Sequence, residues 1–424
     1  MKSHHVRKSV LAAAAGHSAA ALAQTVPTVH IPLNLYFGGN HKVSTDLYIA
    51  STNTTIEVIF DQGSENFFLF GPGAVDNWGS SGLGGQGPCN QSVPAGSYFD
   101  YPASPTATGP ANHSATYIYG GFDKIYSGLV TVNDTFGFSN AAGAATAAAD
   151  DVRVEIVDFL VQRISDSACA YPPLYDLGIL GTSPYYNNAS SRVTAGPHVR
   201  QDLLERGVIG GAVQSMWFDE PPADVYGTYT GGGLFGGIDT SKYSGDLVPV
   251  QTLQPEGYVG YFTAVPTVTV NGVTFTPPDN GQDWCQLDSG THDDTIPVVY
   301  TEDEQFYNAS GIVLSPAGYV AWPGECEDIP ADAVIGLTFP GAEEGASITI
   351  DVPIRSYVRV DYSTLDPGYC VLSVSTSGCL LGAPFATASF FAADDEAGAI
   401  ALAKGGVSTP GDGVDEAAVV ARIP

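Results

Sequence analysis

Glycine and proline interrupt this chain so often that long helices have almost no room to form. There are 50 glycines and 29 prolines among 424 residues, and the stretches between them are short runs that alternate or carry β-branched and aromatic side chains. Residues 58–60, 116–119, 152–160, 265–275, 347–354 and 369–374 all have the enrichment of strands. Two helices stand out. One covers 199–206 and is ended by Gly207; the other opens at Thr301 with Glu304 three residues on, the pattern of a capping box. Residues 140–149 are rich in Ala and read as a loop or a short helix. The fold class is therefore mostly β with a few short helices. Hydrophobic residues at 44% and aromatics at 11% supply a packed interior, which excludes a disordered or collagen-like chain, and the length suits about two domains.

The formal charge is −30. Such a surface repels nucleic-acid phosphates and anionic lipid headgroups, so neither nucleic acid nor membrane is expected as a partner. It suits acid surroundings, where protonated carboxyls relieve the self-repulsion. Residues 1–23 read as a secretory signal: Lys2, Arg7 and Lys8 precede an apolar stretch from Val10, and Ala21-Leu22-Ala23 supplies a small-residue cleavage site. The product is expected to start near Gln24, which amino-terminal mass spectrometry would check. Six Asn-x-Ser/Thr sequons, at Asn53, Asn90, Asn112, Asn133, Asn188 and Asn308, agree with a glycosylating export route and an extracellular destination. No later apolar run reaches the 18 or so residues of a membrane span, and 405–424 is a polar tail unlike a lipid-anchor signal. Six cysteines in an exported chain read as three disulfides, with 15 connectivities open on sequence alone; none lies in a C-x-x-C pair, so zinc is not expected.

Asp-x-Gly occurs at Asp61, Asp176, Asp279, Asp288 and Asp366, and any one of these is first of all a turn. Only two continue with Ser or Thr: Asp61-Gln62-Gly63-Ser64 and Asp288-Ser289-Gly290-Thr291, 227 residues apart. That spacing is what two similar lobes would give if each presented one carboxyl at a shared cleft. Two carboxyls held close together cannot both ionise easily, so the pair keeps one proton and offers a base and an acid at once.

With these loops the chain resembles the pepsin-like aspartic endopeptidases (peptidase A1), and the likeness continues in order along it. Val58 to Ser64 is similar to the family's first catalytic loop. Tyr119-Gly120-Gly121, followed by Ser127 to Val130, resembles the flap hairpin with its substrate-covering Tyr. Asp176 to Gly181 resembles the strand that closes the first motif, and Gly233 to Asp239 with Lys242 to Gly245 the stretch linking the lobes. Leu287 to Thr291 with Ile296-Pro297, and then Leu380 to Phe385, resemble the motifs of the second lobe. The resemblance implies a bilobal β protein, with one lobe over 24–245 and the other over 246–404. It implies a monomer that cleaves an extended peptide or protein by activating a water between Asp61 and Asp288, without metal or cofactor. It also implies the pairings Cys89–Cys169, Cys285–Cys379 and Cys326–Cys370.

Several positions depart from the family pattern. Gln62 replaces the hydroxyl residue whose side chain braces the partner loop, although Ser289 keeps a hydroxyl on the other side. Phe68, without a donor, stands where a Trp supports the flap Tyr. His292, read as part of a solvated loop, replaces a Ser, and Asp293-Asp294 add charge near the site; Ala383 replaces an Asp. No basic prosegment is read after Gln24, so zymogen control of the usual kind is not expected. Two functions stand: an active secreted acid endopeptidase, and a pepsin-fold pseudoprotease that binds a peptide, protein or glycan. A glycosidase using two carboxyls is a third, weaker reading.

Overall fold

The computed structural model describes residues 26–36, 42–120, 123–139, 145–170, 177–184, 198–225, 227–279, 281–359, 363 and 366–424. The signal stretch 1–23, Gln24, Gly121, Asp176, Asn188 and residues 140–144 lie outside them.

The strand Thr54–Asp61 enters from solvent and ends inside, with Thr54 and Thr55 exposed and Val58 to Asp61 buried. Strand alternation sends Val58 and Phe60 into the main core and Ile59 into a second cluster with Phe68, Tyr117 and Tyr126. Both faces are therefore dry, which is why this run is continuously apolar. The strand pairs antiparallel with Ser44–Ile49 and parallel with Gly178–Gly181. From there the sheet continues through Phe67–Trp78, Ala145–Gln162 and Lys124–Ser139 to an edge at Thr108–Tyr119. On the other side it runs through Val29–Tyr36, Thr228–Phe235 and Val213–Phe218 into Ser389–Asp394, Ala399–Lys404 and Ser244–Val250. Among the described residues this sheet has 14 strands, and it joins the end of the chain to its beginning.

The second half repeats the central arrangement. Trp284–Leu287, which leads into Asp288, pairs antiparallel with Tyr261–Ala264 and parallel with Leu380–Leu381. Smaller sheets of four and three strands complete this half.

Arg200, from the helix Val199–Glu205, ties the halves together. It is 1% exposed, donates to the Thr182 and Ser183 carbonyls and to the Tyr261 hydroxyl, and pairs with buried Asp395 at 2.9 Å. Losing either charged partner would strand the other in a dry interior. The segment 405–424 is polar in sequence but docked in space. Val419–Val420 pairs with Ile238–Asp239, and Arg422 bonds Asp394 at 2.7 Å.

The structure changes several local expectations. Residues 265–275 form two strands, Thr267–Val270 and Val273–Phe275, around an Asn271-Gly272 turn in which both residues have positive φ. Residues 145–149 belong to the strand Ala145–Gln162 instead of a helix, because pairing with Lys124–Ser139 overrides their helical propensity. The capping box at Thr301 does not form. Tyr300–Glu302 is a 3-10 turn, so Thr301 lies before the helix and not at its N-cap, which is Glu302; the Glu302 carboxylate accepts from the amide and hydroxyl of Thr276. The helix behind it, Asp303–Ser310, ends at Gly311 with φ 80°.

The three disulfides form as the resemblance implied: Cys89–Cys169, Cys285–Cys379 and Cys326–Cys370, with Cα separations of 5.6, 4.6 and 4.9 Å. Cys285–Cys379 clips the parallel strands beneath Asp288. Replacing both of its cysteines by Ala is expected to lower stability by roughly 2–4 kcal/mol, read as a lower urea midpoint; an unchanged midpoint would show that the sheet holds these strands unaided. Among the described residues no helix is long and apolar enough to cross a membrane.

Candidate active site

Asp61 and Asp288 each stand at the inner end of a strand and are bonded in the same way. Asp61 Oδ1 accepts from the Gly63 amide at 2.8 Å, and Oδ2 from the Ser64 hydroxyl at 2.5 Å. Asp288 Oδ1 accepts from the Gly290 amide at 2.9 Å, and Oδ2 from the Thr291 hydroxyl at 2.9 Å. The two loops press together across the molecule's approximate symmetry. A Cβ placed on Gly63 would lie 2.4 Å from the Asp288 carboxyl carbon, and one on Gly290 would lie 2.4 Å from Asp61 Oδ1. Glycine is required at both positions by this approach. Backbone bonds close the motif from behind: the Thr182 amide donates to the Asp61 carbonyl at 2.7 Å, and the Asp288 amide to the Leu381 carbonyl at 2.8 Å.

Half of the expected brace is present. Ser289 Oγ donates to the Phe60 carbonyl at 2.6 Å and accepts from the Gln62 amide at 3.1 Å, so one hydroxyl grips the opposite loop. Gln62 does not return the grip. Its side chain lines a small apolar void with Met216, Leu287, Leu381, Phe385 and Phe391, where its Nε2 is buried without a hydrogen-bond partner. An orphaned amide of this kind costs about 1–3 kcal/mol.

Asp61 is 5% exposed. Burial first, and the Asp288 charge second, push its carboxyl above the ordinary range, while the Ser64 and Gly63 donors pull the other way. The result is a pair that retains a proton where isolated carboxyls would have lost theirs.

Tyr119 ends the hairpin strand Thr108–Tyr119, and Gly120 (φ 57°) turns the chain beyond it. The Tyr119 hydroxyl reaches Ser64 Oγ at 3.5 Å, completing a relay from hairpin to Ser64 to Asp61. Burial and the nearby Asp61 raise its pKa, so the phenol keeps its proton. Phe68, fully buried, supports it from beneath: it stacks on Tyr117 with centroids 5.4 Å apart and lies 4.8 Å from Tyr126 and 6.3 Å from Tyr119. A ring without a donor suffices there because the Tyr119 hydroxyl is directed to Ser64.

Glu65 and Glu155 were not singled out in the sequence, and Asp294, read there as charge added near the site, is buried instead. Glu65, directly after Ser64, is 4% exposed. Asp294 does not add surface charge as Asp293 does. It is fully buried under the second loop, with Oδ1 accepting from the Gly382 amide at 2.6 Å, and burial pushes its pKa up to about 7. The carboxyl absent at Ala383 is thus supplied to the same turn from position 294. A period of two in Asp294–Ile296 signals this, since Asp294 shares its face with buried Ile296. Glu155, in the strand Ala145–Gln162, is fully buried behind the hairpin. His292 is 41% exposed and lies 3.3 Å from Asp293, on the solvent side. A cavity of about 320 Å³ beside Thr252, Tyr261 and Asp395, and another of about 400 Å³ beside Lys242 and Asp412, are lined by neither carboxyl of the pair.

The sequence model of the eukaryotic aspartyl protease family matches residues 43–405. The chain belongs to this family. Over 218 residues it is also 26% identical to pepsin B of Canis lupus familiaris, a match covering 50% of this chain and 49% of that protein. It therefore spans about half the length of the curated relative it matches. The mostly-β pepsin-like fold presents one Asp-x-Gly loop from each half of the chain.

Proposed function

We propose that this chain is a secreted aspartic-type endopeptidase that hydrolyses peptide bonds at acid pH through a water activated by Asp61 and Asp288. The observation that carries the reading is the mirrored bonding of the two carboxyls, each held by its own loop's Gly amide and Ser or Thr hydroxyl. One ionised carboxyl takes a proton from the water as it attacks the peptide carbonyl, and the protonated one donates to the carbonyl oxygen. The chemistry calls for no metal or cofactor. An extended peptide would lie between the loops and Tyr119, and the enzyme acts as a monomer with lobes over 24–245 and 246–404. Export is supported by residues 1–23, by the disulfides, and by the exposure of Asn53, Asn90, Asn112 and Asn308. Asn133 is half-buried, its amide committed to Asp151 at 2.9 Å.

Digestion of denatured haemoglobin or casein across acid pH, with and without a statine-type inhibitor, tests this directly. Inhibitor-sensitive cleavage supports it. A folded protein that binds the inhibitor but cleaves nothing would move the reading to a binding pseudoprotease, which the unpartnered Nε2 of the Gln62 side chain favours.

Gln62→Thr separates a weakened enzyme from a retired one. By the geometry that Ser289 shows, the hydroxyl introduced by this change would reach across to the Leu287 carbonyl and complete the brace. Proteolysis is expected to rise at least about tenfold, equivalent to about 1.4 kcal/mol of barrier, with the melting temperature within a few degrees. A well-folded variant that stays inert would place the defect elsewhere in the site.

A further inference from the structure

The ladder of the hairpin that carries Tyr119 slips twice, between Thr108 and Ala111 and again nearer the tip. Thr108–Tyr119 pairs with Lys124–Ser139, but the register shifts between Asn112, opposite Val130, and Ala115, opposite Gly128. Within that gap the His113 ring reaches past the middle strand, and its Nδ1 lies 2.6 Å from Glu155 Oε2 on the strand beyond. Gly128 lets the carboxyl through: a Cβ there would sit 2.2 Å from the Ile156 carbonyl oxygen and 3.0 Å from Glu155 Oε1.

Glu155 is fully buried, its second oxygen has no hydrogen-bond partner, and burial pushes its pKa up to about 7. Arg153 and Asp158 on its own strand and Tyr117 on the hairpin are the other titratable groups that act on it. A buried carboxyl is costly, and an apolar side chain would fill this core more cheaply. Its one hydrogen bond goes outward, to the edge strand of the hairpin.

We propose that His113 and Glu155 are positioning residues that tether the hairpin at its slipped ladder and thereby set where Tyr119 lies over Ser64 and Asp61. Tyr119 is six residues further on, about 20 Å along an extended strand, so a tilt of about 5° at the tether moves the tip by about 1.7 Å. A displacement of that size in a residue that covers the substrate weakens its hold on the peptide more than it slows the chemistry at Asp61 and Asp288. The proposal rests on the endopeptidase reading for its kinetic consequence but not for its structural one.

Glu155→Leu removes the tether without leaving a buried charge, whereas Glu155→Gln keeps an oxygen that accepts from His113. In the Leu variant, amide hydrogen exchange over residues 108–132 should quicken severalfold. KM for a peptide substrate should rise about tenfold, with kcat changing less than threefold and the melting temperature within a few degrees. The Gln variant should restore both readouts. Unchanged exchange and KM in the Leu variant would overturn the tether, as would a Gln variant as impaired as the Leu one. If the native protein cleaves no peptide, the endopeptidase reading fails by itself. Hairpin exchange and the affinity for a statine-containing peptide then decide the tether: weaker binding and faster exchange in the Leu variant support it, and no change in either overturns it.

Discussion

Asp61→Asn and Asp288→Asn are each expected to lower peptide hydrolysis by at least about a thousandfold, the scale of a lost general acid or base, while the protein stays folded. Either change removes the proton that the two carboxyls share, so neither variant can present a base and an acid together. Neither should disturb the backbone, because an Asn side chain can still accept from the Gly63 or Gly290 amide at its own position. In the native protein the rate should be bell-shaped in pH. It rises as the pair loses its first proton and falls as it loses the second, with the raised affinity of buried Asp61 holding that second proton above the usual carboxyl range. The check is kcat/KM on one peptide across pH, alongside thermal unfolding of each variant. Hydrolysis that persists in either Asn variant would remove the shared-proton mechanism.

The second large effect concerns stability. Asp294 binds its proton more tightly in the folded protein, where its pKa is about 7, than in the unfolded chain, where it is near 3.8. The stability this group contributes is therefore complete below about pH 4, declines as pH rises, and is gone above about pH 7. An Asn at 294 can accept from the Gly382 amide but has no proton to lose. Asp294→Asn should therefore match the native protein near pH 3.5 and exceed it by about 2–4 kcal/mol at pH 8, a bound set by the shift and discounted for relaxation of the site. Urea unfolding at both pH values measures this. Equal stability at pH 8 would show that water reaches Asp294 when it ionises. Ionisation at Asp294 acts directly on the second loop, since Gly382 is wedged against it: a Cβ there would lie 2.5 Å from the Thr291 carbonyl oxygen. Neutral pH should therefore loosen the second loop before the first.

Much of this could be read from the chain because it is local. Asp-x-Gly followed by Ser or Thr specifies a tight loop whose hydroxyl and amide fold back on the carboxyl, and both loops do so. The apolar run before Asp61 specifies a strand buried on both faces. Cysteine number and family likeness were sufficient for three disulfides. The local signals misled in two places: Thr301 falls in a 3-10 turn and the helix starts only at Asp303, so Thr301 and Glu304 form no cap, and residues 145–149 join a strand because pairing with the neighbouring strand competes with their helical propensity.

Bonds and steric limits within a few residues fix the side chains each loop offers and the alternation that points them inward or outward, so both were legible in the chain. Which polar groups are paired and which are stranded follows from how the strands assemble, not from any one segment. Burial and electrostatic environment are properties of the assembled sheet, and two adjacent aspartates fare differently in it. Asp293 stays half-exposed beside His292 and Arg359 while Asp294 is sealed beneath the second loop. By the same rule Glu155 and His113, 42 residues apart in the chain, become one unit only when Gly128 lets one reach the other, and the Gln62 side-chain Nε2 is left without a partner because the hydroxyl that grips across the cleft comes from Ser289 alone.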